Sequence, residues 1–206
     1  MNYSEKFFKK AEEIGRLITP NKNIRAIFSA GSVGRGIADE YSDLELFIVI
    51  ENHGTKEVRN SILRTINHEV LVEEEDEGDG EWVKTILVNN LKIDIYYWEE
   101  RFLDKLYKDI FNDCSLEIYK QLASSSILDG RAVYGDEYLS QIKQRFKTYP
   151  NELAVKSIKE YAFFESWSLR YALLERNDYV ALLNLVTETT LQILKLLFAL
   201  NKTYLR

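Results

Sequence analysis

The sequence predicts an α/β (α+β) fold, with a sheet domain flanked by helices over residues 1–148 and a helical domain over residues 149–206. Three observations carry this. Runs with apolar side chains at alternate positions recur between Ile24 and Trp98, the period of a strand with one buried face. Stretches with apolar residues three and four apart interleave with them at Ser4–Ile18, Lys56–Asn67, Glu99–Asn112 and Asp136–Lys147, the period of an amphipathic helix. Beyond Tyr149-Pro150 only the helical period remains, and the residue before a proline is pushed out of the helical region, so the boundary falls there.

Each element has its own signal. Phe7, Phe8, Ala11, Ile14 and Leu17 share one side of the first helix, which Ser4 is placed to cap and Thr19-Pro20-Asn21 ends. Ile24–Ser29 and Asp43–Ile50 read as strands separated by a Gly-Ser turn, and Glu69–Val72 as another. The acidic run Glu73–Glu81 lacks the ordered spacing of a calcium loop and reads as a solvated hairpin loop. Val83–Val88 and Leu91–Trp98 form a hairpin across Asn89-Asn90, a pair suited to a tight turn. A helix over Cys114–Ser124 and a short strand over Ser126–Leu128 follow. Glu152–Arg176 and Tyr179–Leu200 are the closing long helices, the second capped by Asp178 and apolar nearly all round. Such a helix is expected to be buried, against the sheet domain, a second subunit or a further segment.

Composition narrows the class. Of 206 residues 46% are hydrophobic and 13% aromatic, enough for a sizeable core, and two prolines with no low-complexity tract predict little disorder. Cys114 is the one cysteine, so no intrachain disulfide forms, which fits a cytoplasmic protein; with two histidines it does not make a zinc site of the usual kind. The N-terminus has no signal-peptide core, and Leu191–Leu200, broken by Gln192 and Lys195, is too short and polar to span a bilayer. Net charge is −6: residues 1–150 carry 20 Lys and Arg against 27 Asp and Glu, and residues 151–206 carry 7 against 6. A grip on a nucleic-acid backbone needs a basic surplus, so this balance argues against nucleic acid and for a small, cationic acceptor.

The candidate site gathers around SAGSVGRGIADEYSDLELFIVI, Ser29 to Ile50. Gly31, Gly34 and Gly36 let backbone approach a ligand closely. Ser32 with nearby backbone N–H groups, and Arg35, are placed to hold phosphate. Asp43 and Glu45 project to one strand face, about 7 Å apart at roughly 3.3 Å per residue, and can share a divalent metal. Asp94 is anomalous inside Lys92-Ile93-Asp94-Ile95, because a buried unpaired carboxylate is costly and a metal beside it removes the cost. Glu165 interrupts the apolar stripe Ala154, Ile158, Tyr161, Ala162, Leu169, Ala172 and needs a partner or a purpose.

Ala30-Gly31-Ser32, a spacer, then Asp43-Leu44-Glu45-Leu46 resembles the signature of the nucleotidyltransferase superfamily that includes DNA polymerase beta. With Arg35, Tyr41 and Ser42 the pattern GSVGR…YSDLE is most similar to the kanamycin and lincosamide nucleotidyltransferases. The resemblance implies a small mixed β-sheet catalytic domain and a C-terminal helical bundle serving as substrate and dimer wall. It implies two Mg²⁺ ions and a nucleoside triphosphate co-substrate, with Asp43 and Glu45 on both ions and Asp94 on the ion nearer the nucleophile. Gly31, Ser32 and Arg35 would bind the nucleotide. Phe164-Glu165-Ser166-Trp167 resembles the context of the branch's general base, with Glu165 in that role. Tyr161, Trp167 and Tyr171 are candidates for the acceptor wall, and plain core is the competing reading. The function implied is transfer of a nucleoside monophosphate to a hydroxyl of a small molecule, an aminoglycoside or lincosamide antibiotic, by a homodimer. The alternatives are a regulatory or toxin–antitoxin enzyme modifying a protein or tRNA, and a non-catalytic interaction protein on the same fold.

Overall fold

The computed structural model describes residues 2–51, 54–74, 78–164 and 167–206. Helix α1 spans Tyr3–Ile18. Its cap is Asn2, whose side chain accepts the Glu5 N–H at 2.8 Å, satisfying one of the donors left unpaired in the first turn. Ser4 is instead buried and accepts the Ala38 N–H at 2.9 Å, tying the loop after the first strand to the helix. The buried stripe closes on Ile18, four residues after Ile14, and Leu17 faces water.

Six strands follow: β1 Ile24–Ser29, β2 Leu44–Ile50, β3 Glu69–Glu74, β4 Glu81–Val88, β5 Leu91–Glu99 and β6 Arg131–Tyr134. They form one mixed sheet in the order β3-β4-β5-β2-β1-β6. β2 and β5 run parallel, and the other pairs are antiparallel. A parallel pair needs a long crossover, which α3 (Lys56–Leu63) and the β3–β4 arm supply. Asn89 and Asn90 have φ of 49° and 62°, the left-handed pair that lets a two-residue turn match the twist of its strands.

The sheet has two apolar faces. Leu44, Leu46, Ile48, Ile50, Ile93 and Ile95 lie in one core with Phe7, Phe8, Ala11 and Ile14 of α1 and Ile62 and Leu63 of α3. On the opposite face Phe47 stacks between Phe28 at 4.9 Å and Tyr96 at 4.6 Å, with Trp98 at 4.7 Å. Such aromatic pairs add about 0.5–1.5 kcal/mol beyond the burial of their surface. This aromatic cluster shares its face with the residues considered below, next along β2 and β5.

The remaining helices are α2 Gly31–Gly34, α4 Glu100–Phe111, α5 Ile118–Asp129, α6 Asp136–Phe146, α7 Asn151–Tyr161, α8 Trp167–Glu175 and α9 Tyr179–Leu200. The chain divides into two compact units: residues 1–108, 123–147 and 206, and residues 109–122 and 148–205.

Three sequence expectations are corrected. Ser126–Leu128 is helix, the end of α5, because Ala123 and Ile127 bury at helical spacing; the strand comes after it, as β6. Glu152–Arg176 is not one helix. α7 ends at Tyr161 with Ala162 as its cap, and the Phe163 carbonyl, freed from the helix, accepts from Gln192 Nε2 at 2.6 Å. Third, α9 is not buried: Ala199 is its one buried residue, since two neighbouring helices, α7 and α8, cover only part of its circumference. Its 22 residues are long and apolar enough to cross a bilayer by length and composition alone. The polarity noted for Leu191–Leu200 therefore does not extend to the whole helix.

Candidate active site

The site is assembled where β2 starts. Asp39 folds the preceding loop: its Oδ1 accepts from Tyr41 N–H at 3.1 Å and Ser42 Oγ at 2.9 Å. Asp43 leads from that turn into β2. In the parallel register Glu45 lies opposite Asp94 and Leu44 opposite Ile93, so Glu45 and Asp94 are neighbours on one face, above Phe47 and Tyr96. Asp43 and Lys92 extend the same pairing by one residue. Lys92 Nζ donates to Asp43 Oδ2 at 2.9 Å and to Asp94 Oδ2 at 2.7 Å. The two acidic oxygens thus lie under about 6 Å apart, a span that suits two ions about 3.5–4 Å from each other. Thr85, opposite Asp94 on β4, donates to the other oxygen, Asp94 Oδ1, at 2.6 Å.

The glycine turn borders the same face. Gly31 adopts φ +57°, and a Cβ there would meet Glu45 Oε2 at 2.0 Å. Close approach of the Glu45 carboxylate therefore depends on a residue without a side chain. Ser32 follows in the first turn of α2, and Arg35 closes that helix, its Nε donating to the Gly31 carbonyl at 3.1 Å.

Burial raises the Glu45 carboxyl above the usual carboxylate range, and the negative Asp43 and Asp94 raise it further, partly offset by Arg35 and Lys92. Hydrogen bonds to Asp94 and Asp43 hold Lys92 firmly protonated. Tyr96 is pushed up to about 12 by burial and by Glu45 and Asp94, so its hydroxyl keeps its proton.

Asp43, Glu45 and Asp94 offer hard carboxylate oxygens, the donors that suit Mg²⁺. Two of them already address one cation, the Lys92 ammonium. The donors fit a divalent ion in chemistry. Among the described residues, however, no three His, Cys, Asp or Glu groups form a cluster that could hold a metal; Asp43 and Asp94 are turned onto Lys92.

A groove of about 730 Å³ adjoins Asp43 and Lys92, walled by Tyr3 and Phe7 of α1, Tyr41 of the loop and Leu91 at the start of β5. Glu165 lies outside the described residues. Of the acceptor-wall candidates, Tyr161 carries Lys195 Nζ 4.9 Å above its ring and Tyr171 is exposed, both within the second unit.

Sequence reasoning missed Lys92 and Thr85. Alternation puts Lys92 on the face of Asp94, and the Asn89-Asn90 turn puts Thr85 across from Asp94, so both had a signal.

A family described as a domain of unknown function, DUF4037, matches residues 118–206. No curated protein matches the chain significantly. Solved structures similar to it include a nucleotidyltransferase-like protein from Exiguobacterium sibiricum 255-15, at 12% identity and TM-score 0.40 over 95% of this chain and 59% of that one. The Cid1 poly(U) polymerase bound to MgGTP is another, at 11% identity and TM-score 0.39 over 62% of this chain and 43% of that one. Cid1 with the UTP analogue UMPNPP gives 14% identity and TM-score 0.35, over 62% of this chain and 41% of that one. In each case this chain spans less than two thirds of the other's length.

Proposed function

We propose that this chain is a metal-dependent nucleotidyltransferase that moves a nucleoside monophosphate from a nucleoside triphosphate to a hydroxyl of a small molecule. The observation that carries it is the placement of Asp43, Glu45 and Asp94 on one sheet face against the Gly31–Arg35 turn. Mg²⁺, when bound, supplies stabilisation of the charge that builds on the attacking and leaving oxygens. Asp43 and Glu45 would hold two such ions, and Asp94, aimed by Thr85, would hold one of them. Gly31, Ser32 and Arg35 orient the phosphates. Glu165 takes the proton of the attacking hydroxyl, if its pKa lies near neutrality, as general bases require.

The groove beside Asp43 supports a small acceptor, since its volume falls in the range of about 300–1,000 Å³ usual for such sites. The signature GSVGR…YSDLE and the acidic balance favour an aminoglycoside or lincosamide antibiotic, acted on in the cytoplasm, where the single Cys114 stays reduced. A second reading has its own observation: Lys6, Lys9, Lys10 and Lys92 line the same groove against Glu13, Glu40 and Asp43, and this small basic surplus favours an anionic acceptor such as a tRNA end. We assign the exposed apolar side chains of α9, among them Leu183, Val186 and Leu197, to contact with a second copy of the chain.

The test is a thermal-shift panel of nucleoside triphosphates with Mg²⁺, followed by antibiotics and tRNA, run on the wild type and on Asp43→Asn. Stabilisation by a triphosphate only with Mg²⁺, lost in the folded variant along with transfer, is expected. Full transfer by Asp43→Asn would overturn the reading.

A further inference from the structure

Among the described residues, Lys92 is the cation in contact with two of the three carboxylates, and it stands where an ion that they share would stand. Its ammonium meets one oxygen of each aspartate, at 2.9 and 2.7 Å. The second oxygen of Asp94 is held by Thr85 at 2.6 Å, so that carboxylate is aimed, and aimed at Lys92. The lysine sits two residues before Asp94 on β5, and strand alternation gives it no other face to occupy. Its side chain is about half exposed and also borders the groove beside Asp43. It can therefore leave the carboxylates without leaving the site, because a four-carbon stem re-aims its ammonium by rotamer changes alone.

An ammonium and a divalent ion cannot occupy the same contacts, since their mutual repulsion acts at close quarters. A metal arriving alone must break two charge-assisted hydrogen bonds and leave the ammonium without its partners. A metal arriving with a triphosphate brings new anionic oxygens to the rim where the ammonium is released. Resting on the metal-site reading above, we propose that Lys92 is a displaceable resident counter-ion. It holds Asp43 and Asp94 in place before loading, opposes binding of metal alone, and transfers to the triphosphate when metal and nucleotide enter together. Metal and nucleotide affinities are thereby coupled, and by linkage the coupling is equal in both directions.

The experiment measures Mn²⁺ affinity by electron paramagnetic resonance, with and without a non-hydrolysable nucleoside triphosphate analogue, for wild type, Lys92→Met, Lys92→Gln and Lys92→Arg. Catalysis is not required. In wild type, Mn²⁺ binds weakly alone and more tightly with the analogue. Lys92→Met and Lys92→Gln are expected to bind Mn²⁺ alone about tenfold more tightly, the effect of losing one modest opposing interaction at a half-exposed site, and to show a smaller gain from the analogue. Lys92→Arg keeps the charge and the wild-type pattern. Unchanged or weaker Mn²⁺ binding in both neutral variants overturns the proposal and leaves the metal-site reading standing. Absence of Mn²⁺ binding in wild type and all variants overturns both. A melting temperature lowered in the neutral variants in chelator, and restored by Mn²⁺, supports the counter-ion role independently.

Discussion

Gly31→Ala tests whether the Glu45 carboxylate must sit where the structure puts it. Two effects follow from one methyl group. The first is conformational: Gly31 has φ +57°, and a Cβ in the left-handed region costs about 1–2 kcal/mol. For a chain of 206 residues each kcal/mol lowers the melting temperature by roughly 2–4 °C. The second is local. The new Cβ would lie 2.0 Å from Glu45 Oε2 and 2.7 Å from its Cδ, so the carboxylate must swing away. That motion is cheap for the fold, because the displaced atoms are the end of a flexible side chain, but costly for the site. A misplacement of about 1 Å can lower a rate about 100-fold. Gly36 provides the control: its φ is +75°, and a Cβ added there would meet nothing within 4 Å. Gly36→Ala should lose the same stability and keep most of its activity. The assays are differential scanning fluorimetry and pyrophosphate release, with Mn²⁺ affinity as a readout that needs no acceptor. Equal activity and equal Mn²⁺ affinity in the two folded variants would refute the reasoning.

Glu45→Gln tests the same carboxylate by pH. Because burial and its acidic neighbours raise its pKa in the fold above the ordinary 4.5, the folded state holds the proton more tightly, and the metal-free protein loses stability as pH rises above that value. Metal-free Glu45→Gln should then melt above wild type at neutral pH, with the gap closing toward pH 4.5; a variant less stable at neutral pH would contradict this. A shared-site dimer is tested by mixing Asp43→Asn with Glu165→Gln. Heterodimers with one intact site should recover up to about a quarter of wild-type activity if α9 joins two copies through its exposed apolar face. No recovery, with a monomeric mass by light scattering, would rule the dimer out.

Much of the fold was legible because local signals and tertiary packing agree there. Alternation in β2 and β5 places Leu44, Leu46, Ile93 and Ile95 in one core, and Asn89-Asn90 turns as its residues prefer. Where they disagree, the sequence misled. The serines before Ile127 resemble a strand edge, yet Ser124 and Ser125 are buried within α5. Nothing between Tyr161 and Phe164 is a glycine or proline, so the end of α7 has no local punctuation; beyond it the Phe163 carbonyl accepts from a residue 29 positions away, Gln192. Helical periodicity describes α9 well but cannot say what covers it.

The site shows the same division between pattern and pairing. Period two puts Asp43 and Glu45 on a common face, but it is the parallel register of β2 with β5 that sets Glu45 beside Asp94, and no single-strand pattern contains that register. The antiparallel partner is different. Once Asn89-Asn90 is a two-residue turn, Val88 must pair with Leu91, and stepping back three places sets Thr85 against Asp94. The donor that aims Asp94 therefore follows from the turn alone. Lys92 follows from alternation in the same strand, two places before Asp94. Viewed only as a search for carboxylates, the sequence shows three acids; viewed through the strand pairing, it shows three acids, a hydroxyl that orients one of them, and a cation between two. On the proposal above, that cation is what an entering metal would displace, so Lys92 as well as the acids would set the affinity of the site for metal.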